Sequence, residues 1–182
     1  MTVDAFLAFA AAASGRWQLV EGEAVAMAPA NTTHGAMQNE LGRLIANALL
    51  AKGAPCSVFT EPGVIPRVFA NENVRVPDLA VMCGDYKTER RVLAEPVVLI
   101  EILSPSNEDS TRYNVWAYAS IPSVAEIALF HAASIAVEFW RRLPDGSWPE
   151  APELIETGEL SFASIGVRFA LADAYRTTRL AP

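Results

Sequence analysis

The sequence predicts an α/β or α+β sandwich, in which a mixed or mostly antiparallel central sheet is flanked by two principal helices and joined by additional antiparallel strands. Two observations identify the helices. "NTTHGAMQNELGRLIANALLAKG" places Met37, Leu41, Leu44, Ile45, Ala48 and Leu49 on a helical period, and "NEDSTRYNVWAYASI" supports a second helix that Pro122 ends. The third is the spacing of short Val-, Ile-, Leu- and Phe-rich runs, bounded by Gly, Pro, Asn and Asp, between and after those helices. With 182 residues, 52% of them apolar, and neither a linker-like stretch nor a fixed-period repeat, residues 1–182 are expected to form one domain around a full core.

The elements follow in order. Residues 3 to 13 read as a helix with Thr2 as N-cap, Asp4 in the first turn, and Phe6, Leu7 and Ala10 on one face. The same stretch, "AFLAFAAAAS", imitates a signal peptide, but Asp4 stands where a basic flank belongs. "RWQLVEGEAVAMAP" reads as two short strands about a Glu-Gly turn, and the long helix after it stops at Gly53. "CSVFTEPGVIPRV" and "NVRVPDLAVMCG" read as strands, "DYKTERR" as a polar loop and "VVLIEIL" as a buried strand. After the second helix, "AEIALFHAASIAVEFWRR" reads as a hairpin and "PDGS" as a tight turn, followed by a short strand, a loop and the closing "FALADAY". "SIAVEFW" either completes the core or pairs across a two-fold axis. No apolar run approaches the roughly 18 residues a membrane span needs, so no span is expected.

Charge and cysteine content narrow the function classes. Non-specific nucleic-acid binders draw on basic surfaces, so the net charge of −7 counts against a DNA-binding role unless cations gather locally or metal ions contribute. Of the 14 Lys and Arg side chains only Lys52 and Lys87 are lysines, leaving twelve arginines. Cys56 and Cys83 are far apart in sequence, lack metal-ligand spacing and suggest no disulfide framework. A reducing, cytoplasmic location is therefore expected.

One residue opens the question of chemistry. Glu101 interrupts the apolar run "VVLIEIL", where an ionised carboxylate without compensation is strongly disfavoured. If "VPDLAVMC" and "VVLIEIL" are the arms of one antiparallel hairpin centred between residues 89 and 90, Asp78 pairs with Glu101, Ala80 with Leu99 and Met82 with Val97. The two acids then share a face with Cβ atoms about 4.5 to 5.5 Å apart, where bare carboxylates repel. A divalent cation removes the conflict, since Mg²⁺ takes one or two carboxylates and completes its shell with water and phosphate oxygens.

"PDLAV", followed by "VLIEILSPSN", resembles the Pro-Asp and Glu-x-x-Ser-Pro-Ser signature of the Uma-two family of bacterial restriction-endonuclease-like proteins, within the PD-(D/E)XK nuclease superfamily. "WQLVEGEAVAMAPANTTHG", "AYASIPSVAEIALF" and "GVRFALADAY" extend the resemblance over nearly the whole chain. The resemblance implies a restriction-endonuclease-like core, Asp78 and Glu101 as metal-binding catalytic residues on adjacent strands, Mg²⁺ or Mn²⁺ as cofactor, and DNA as substrate. The implied reaction is phosphodiester hydrolysis by metal-activated water. A homodimer is expected if both strands of a duplex are to be cut.

The pattern departs from the superfamily at its lysine. Two positions after Glu101 stands Leu103, and the alternative location in the following helix, four residues before Tyr118, holds Asn114, which carries no charge. Arg112 and Lys87 are the available substitutes, although arginine remains protonated and is a poor general base. His34 is either a helix-entry residue or a substrate contact. Glu23 is either solvated beside its turn or a third acid near the metal. Ser104 is either a substrate contact or, with Ser106 and Asn107, part of the turn that caps the second helix. Without a metal, Glu101 would form a structural ion pair with an arginine such as Arg75 or Arg112, and Asp78 would be a strand-edge or turn residue. Two other function classes stay open. One is a catalytically degenerate relative acting as a binding or assembly module; the other is a small-molecule or RNA hydrolase on the same scaffold.

Overall fold

The structure, a computed structural model, describes residues 1–86, 91–104 and 108–181. In chain order the elements are α1 (Val3–Ala12), β1 (Trp17–Val20), β2 (Glu23–Ala26), α2 (Thr32–Ala51), β3 (Cys56–Thr60), β4 (Gly63–Val64), β5 (Leu79–Cys83), β6 (Val92–Leu93), β7 (Pro96–Leu103), α3 (Glu108–Ala119), β8 (Glu126–His131), β9 (Val137–Arg141), β10 (Glu153–Ile155), β11 (Glu159–Phe162) and β12 (Val167–Ala170). Short 3-10 turns cover Ala163–Ile165 and Leu171–Tyr175. No described helix is long and apolar enough to cross a membrane.

The central sheet has six strands in the order β10-β9-β8-β7-β5-β3. β7 and β8 run parallel, joined by the α3 crossover, and every other pair in this sheet is antiparallel. A mixed sheet is the result, as the sequence predicts. "SIAVEFW" contributes β9, which pairs with β8 on one side and β10 on the other and so completes the core. The sequence reading misses the small β11–β12 hairpin that lies beyond it.

Local chemistry explains the helix starts. Thr2 accepts from the Ala5 N–H and Asn31 from the His34 N–H, each satisfying a donor that the first helical turn leaves unpaired. Between β1 and β2 the chain turns through Glu21 and Gly22, with φ of 49° and 85°. Two consecutive positive φ values are the mark of a hairpin turn whose twist matches its strands.

Strand alternation sorts the core into two layers. Val98, Ile100 and Ile102 of β7, with Leu79 and Val81 of β5, pack against Met37, Leu41, Ile45 and Leu49 of α2. Leu99 and Leu103 face the other way, toward Tyr118 of α3 and Ile127 and Leu129 of β8. Position 101 falls on this second face, which puts a carboxylate beneath α3.

The β5–β7 register matches the sequence expectation where the site lies and departs from it further along. Leu79 pairs with Ile100, Ala80 with Leu99 and Val81 with Val98, but Met82 pairs with Pro96 rather than Val97. Val97 is the extra residue of a bulge, and Pro96 has no N–H to extend the ladder in the earlier register.

The cysteine expectation is overturned. The β3–β5 register sets Cys56 directly opposite Cys83, and a disulfide joins them. A separation of 27 residues conceals the pair in the sequence, because only strand pairing brings them together. The argument for a reducing compartment loses its premise.

Candidate active site

Asp78 follows Pro77 at the entrance to β5 and is 7% exposed; Glu101 on β7 is 5% exposed. One residue beyond the Leu79–Ile100 pair, the two stand opposite each other. The Ile102 N–H donates to Asp78 Oδ2 at 2.7 Å, tying the Asp78 side chain to β7. His34 Nε2 lies 2.8 Å from Asp78 Oδ1, within hydrogen-bond distance. The Asp78 carbonyl accepts from Gln38 Nε2 at 2.9 Å and from the Glu61 N–H at 3.1 Å, holding the backbone against α2 and the end of β3.

Glu101 is held from α3. Its Oε1 accepts from the Tyr118 hydroxyl at 2.6 Å and from Asn114 Nδ2 at 3.1 Å. Asn114 and Tyr118 are four residues apart on one helical face, so a single helix delivers both donors. Behind Asn114, Arg75 Nη1 donates to Asn114 Oδ1 at 3.2 Å, and the guanidinium carbon lies 5.5 Å from the centre of the Tyr113 ring.

Burial, and after it the charge of Asp78, push the Glu101 carboxyl well above the usual carboxylate range. Hydrogen bonds from Tyr118, Asn114 and the Asp78 backbone act in the opposite direction. Burial also pushes the Tyr118 phenol well up, with the Glu101 charge as the next contribution. This arrangement disfavours two negative charges side by side, and both acids line a cleft.

That cleft has a volume of about 380 Å³ and is lined by His34, Asp78, Glu101, Ser104, Thr111 and Asn114, with residues 25–31 forming much of its opposite wall. Arg16 stands in the lining, paired with Glu61. A larger pocket of about 570 Å³ beside β3 and β6 contains, among the described residues, none of the sequence-predicted site residues.

The residues present fit a hard divalent cation. The Asp78 and Glu101 carboxylates supply oxygen donors of the type Mg²⁺ or Mn²⁺ takes, and their mutual repulsion is what such an ion relieves. Among the described residues no group of three or more His, Cys, Asp or Glu side chains gathers as a ligand cluster. Water and substrate oxygens would therefore complete the shell.

The structure thus brings His34, Asp78, Glu101, Ser104 and Asn114 to one cleft. It does not bring Glu23 or Arg112 there. Glu23 is exposed on β2 opposite Val20, outside the cleft lining. Arg112 Nη2 binds Glu108 at 3.0 Å and Glu138 at 2.6 Å, and Glu138 also meets His131 at 3.0 Å. At about 100° per residue, Arg112 lies some 200° around α3 from Asn114 and faces away. Lys87, Ser106 and Asn107 lie outside the described residues. Neither Arg75 nor Arg112 forms an ion pair with Glu101.

Sequence reasoning missed Tyr118 as a donor to Glu101, and Thr111 as part of the cleft wall. The i, i+4 relation of Asn114 and Tyr118, taken with a buried acid awaiting donors, would have exposed the first. Nothing in the sequence distinguishes Thr111 from an ordinary helix residue.

A family model described as "Uma2: Putative restriction endonuclease" matches residues 3–172. A crystal structure described as "a putative nuclease belonging to DUF820", from Anabaena variabilis, superposes with a TM-score of 0.72 at 17% sequence identity, covering 96% of this chain and 97% of that one. At that identity the superposition establishes a shared fold. No curated protein matches the chain.

Proposed function

Because the chain belongs to the Uma2 family of restriction-endonuclease-like proteins, we propose that it is a divalent-metal-dependent endonuclease that hydrolyses DNA phosphodiester bonds at the Asp78–Glu101 cleft. One observation carries this reading: two buried acids from adjacent segments of the sheet face one another at a cleft.

In this reading Asp78 and Glu101 hold the ion. Bound there, Mg²⁺ or Mn²⁺ would polarise a phosphate oxygen and lower the pKa of a coordinated water. The chain supplies the positioning. His34 and the Ile102 N–H fix the two Asp78 oxygens, and Tyr118 and Asn114 fix one Glu101 oxygen, so neither acid rotates away from the cleft. Ser104 and Thr111 line the same cleft.

The test is cleavage of supercoiled plasmid and of oligonucleotides with Mg²⁺ or Mn²⁺. Wild type should nick or cut, chelator should stop it, and Asp78→Ala should lose it. Equal cleavage by wild type and Asp78→Ala would sink the assignment. A homodimer, the state expected for cutting both strands of a duplex, is tested by sedimentation with and without a duplex oligonucleotide.

A second reading has its own supporting observation: Leu103 and Asn114 occupy the two positions where a lysine would stand. On that ground the chain is a degenerate member that binds without cutting. It entails no cleavage with any divalent metal and none after Asn114→Lys, whereas cleavage gained by Asn114→Lys would show an intact metal site that lacked its cation.

A further inference from the structure

Arg75 is 2% exposed, and among the described residues its Nε and Nη2 have no hydrogen-bond partner. Its polar contact with the chain is the 3.2 Å bond from Nη1 to Asn114 Oδ1, beside the face of Tyr113. A buried guanidinium so sparsely bonded contributes little to stability, since burial penalises the charge and an apolar side chain would fill the same volume without that penalty. Its charge lies near Tyr118, Tyr113 and Glu21, and its one bonded nitrogen reaches the site through Asn114.

A guanidinium only donates, so the Asn114 amide must turn its oxygen toward Arg75. Its nitrogen then faces Glu101 Oε1, at 3.1 Å. Arg75 and the Glu101 carboxylate select the same orientation: the flipped amide would turn its NH₂ toward the guanidinium and its oxygen toward a carboxylate oxygen. We propose that Arg75 is a positioning residue of the site: by holding the Asn114 oxygen it directs the Asn114 N–H at Glu101. This rests on reading Asp78 and Glu101 as the site, but not on whether the site cuts DNA.

The test is a double-mutant cycle in metal-free protein, with chelator present, combining Arg75→Met and Glu101→Gln and read by urea unfolding. Arg75→Met should lower the folding equilibrium constant at least fivefold more when residue 101 is Glu than when it is Gln. Additive effects within twofold, or coupling of the opposite sign, would overturn the proposal. Should Arg75→Met not fold, Arg75→Gln takes its place, a shorter polar side chain without charge.

A spectroscopic measurement separates positioning from packing. The side-chain ¹⁵N–¹H₂ signals of Asn114, identified by their loss in Asn114→Ala, should move toward the values of a free amide in Arg75→Met or Arg75→Gln and stay near wild type in Arg75→Lys. Signals unmoved in both neutral variants would overturn the proposal. Both experiments use metal-free protein, so a failure of wild type to bind metal or cleave DNA would count against the function proposed above and leave these results standing.

Discussion

Replacing Glu101 by Gln should stabilise the metal-free protein and destabilise the metal-loaded one. Gln keeps an oxygen that accepts from Tyr118 and Asn114, so the 2.6 and 3.1 Å hydrogen bonds have a counterpart while the charge goes. Two unit charges about 5 Å apart at an effective dielectric near 20 repel by about 3 kcal/mol. The donors around Glu101 and the nearby guanidinium offset part of that, leaving an expected gain of about 1 to 3 kcal/mol at pH 8 in chelator. The sign with pH follows from the raised Glu101 pKa: the folded state holds this proton more tightly than the unfolded state, whose value is near 4.5. The penalty is therefore absent below about pH 4.5 and grows as pH rises toward the folded pKa, so the advantage of Gln should disappear in acid. With Mn²⁺ at about a hundred times its Kd, wild type gains about 2.7 kcal/mol and the variant gains nothing comparable, which reverses the order. Urea unfolding followed by tryptophan fluorescence, at pH 4 and pH 8 with chelator or Mn²⁺, reads all four conditions. A Gln variant less stable than wild type at pH 8 in chelator, or equal stabilisation of both by Mn²⁺, would refute the charge argument.

Three further outcomes follow from the fold. Reducing Cys56–Cys83, which closes a loop of 27 residues' separation, should lower stability by about 3.5 kcal/mol on the chain-entropy model, seen as a lower melting temperature in reductant; no change would mean the bridge does not form. Glu40 on α2 is clasped by Arg43 at 2.7 Å and Arg176 at 2.6 Å, and the Arg43 hydrogen bond leads in holding its carboxyl below the usual range. Its stabilisation is thus present above about pH 4.5 and lost as pH falls through the depressed folded pKa, so the melting temperatures of wild type and Glu40→Gln should differ at pH 7 and converge in acid. Arg112→Ala should leave cleavage within about threefold of wild type while costing about 1 to 3 kcal/mol, because Glu138 is buried and loses its main partner; a loss of cleavage with normal stability would return Arg112 to the site.

The carboxylate pair was legible in the sequence because strand geometry is strict. With a period of two and one assumed hairpin centre, Asp78 had to meet Glu101, and the Ala80–Leu99 pair confirms the count over that stretch. The count failed only past Val81, where a bulge, which no alternation pattern announces, shifts Met82 to Pro96. The disulfide was illegible for a related reason: the β3–β5 register that opposes Cys56 and Cys83 depends on how a long intervening segment folds back. Among the cations, composition showed that lysine was scarce but not which arginine was buried. Arg112 was the natural candidate by sequence distance, yet helical rotation carries it away from Asn114, while Arg75, from the segment before β5, lies behind Asn114. His34 was legible as a residue near the start of α2, and its contact with Asp78 comes from where that helix begins beside the sheet.

The most direct test of the central claim is a crystal of the wild-type protein soaked in Mn²⁺ and measured near the manganese absorption edge. An anomalous peak between the Asp78 and Glu101 carboxylates, absent from a matched Asp78→Ala crystal, is the expected result. A cleft without a peak while manganese binds elsewhere on the molecule, or a peak that survives in Asp78→Ala, would contradict the claim that these two acids form the metal site.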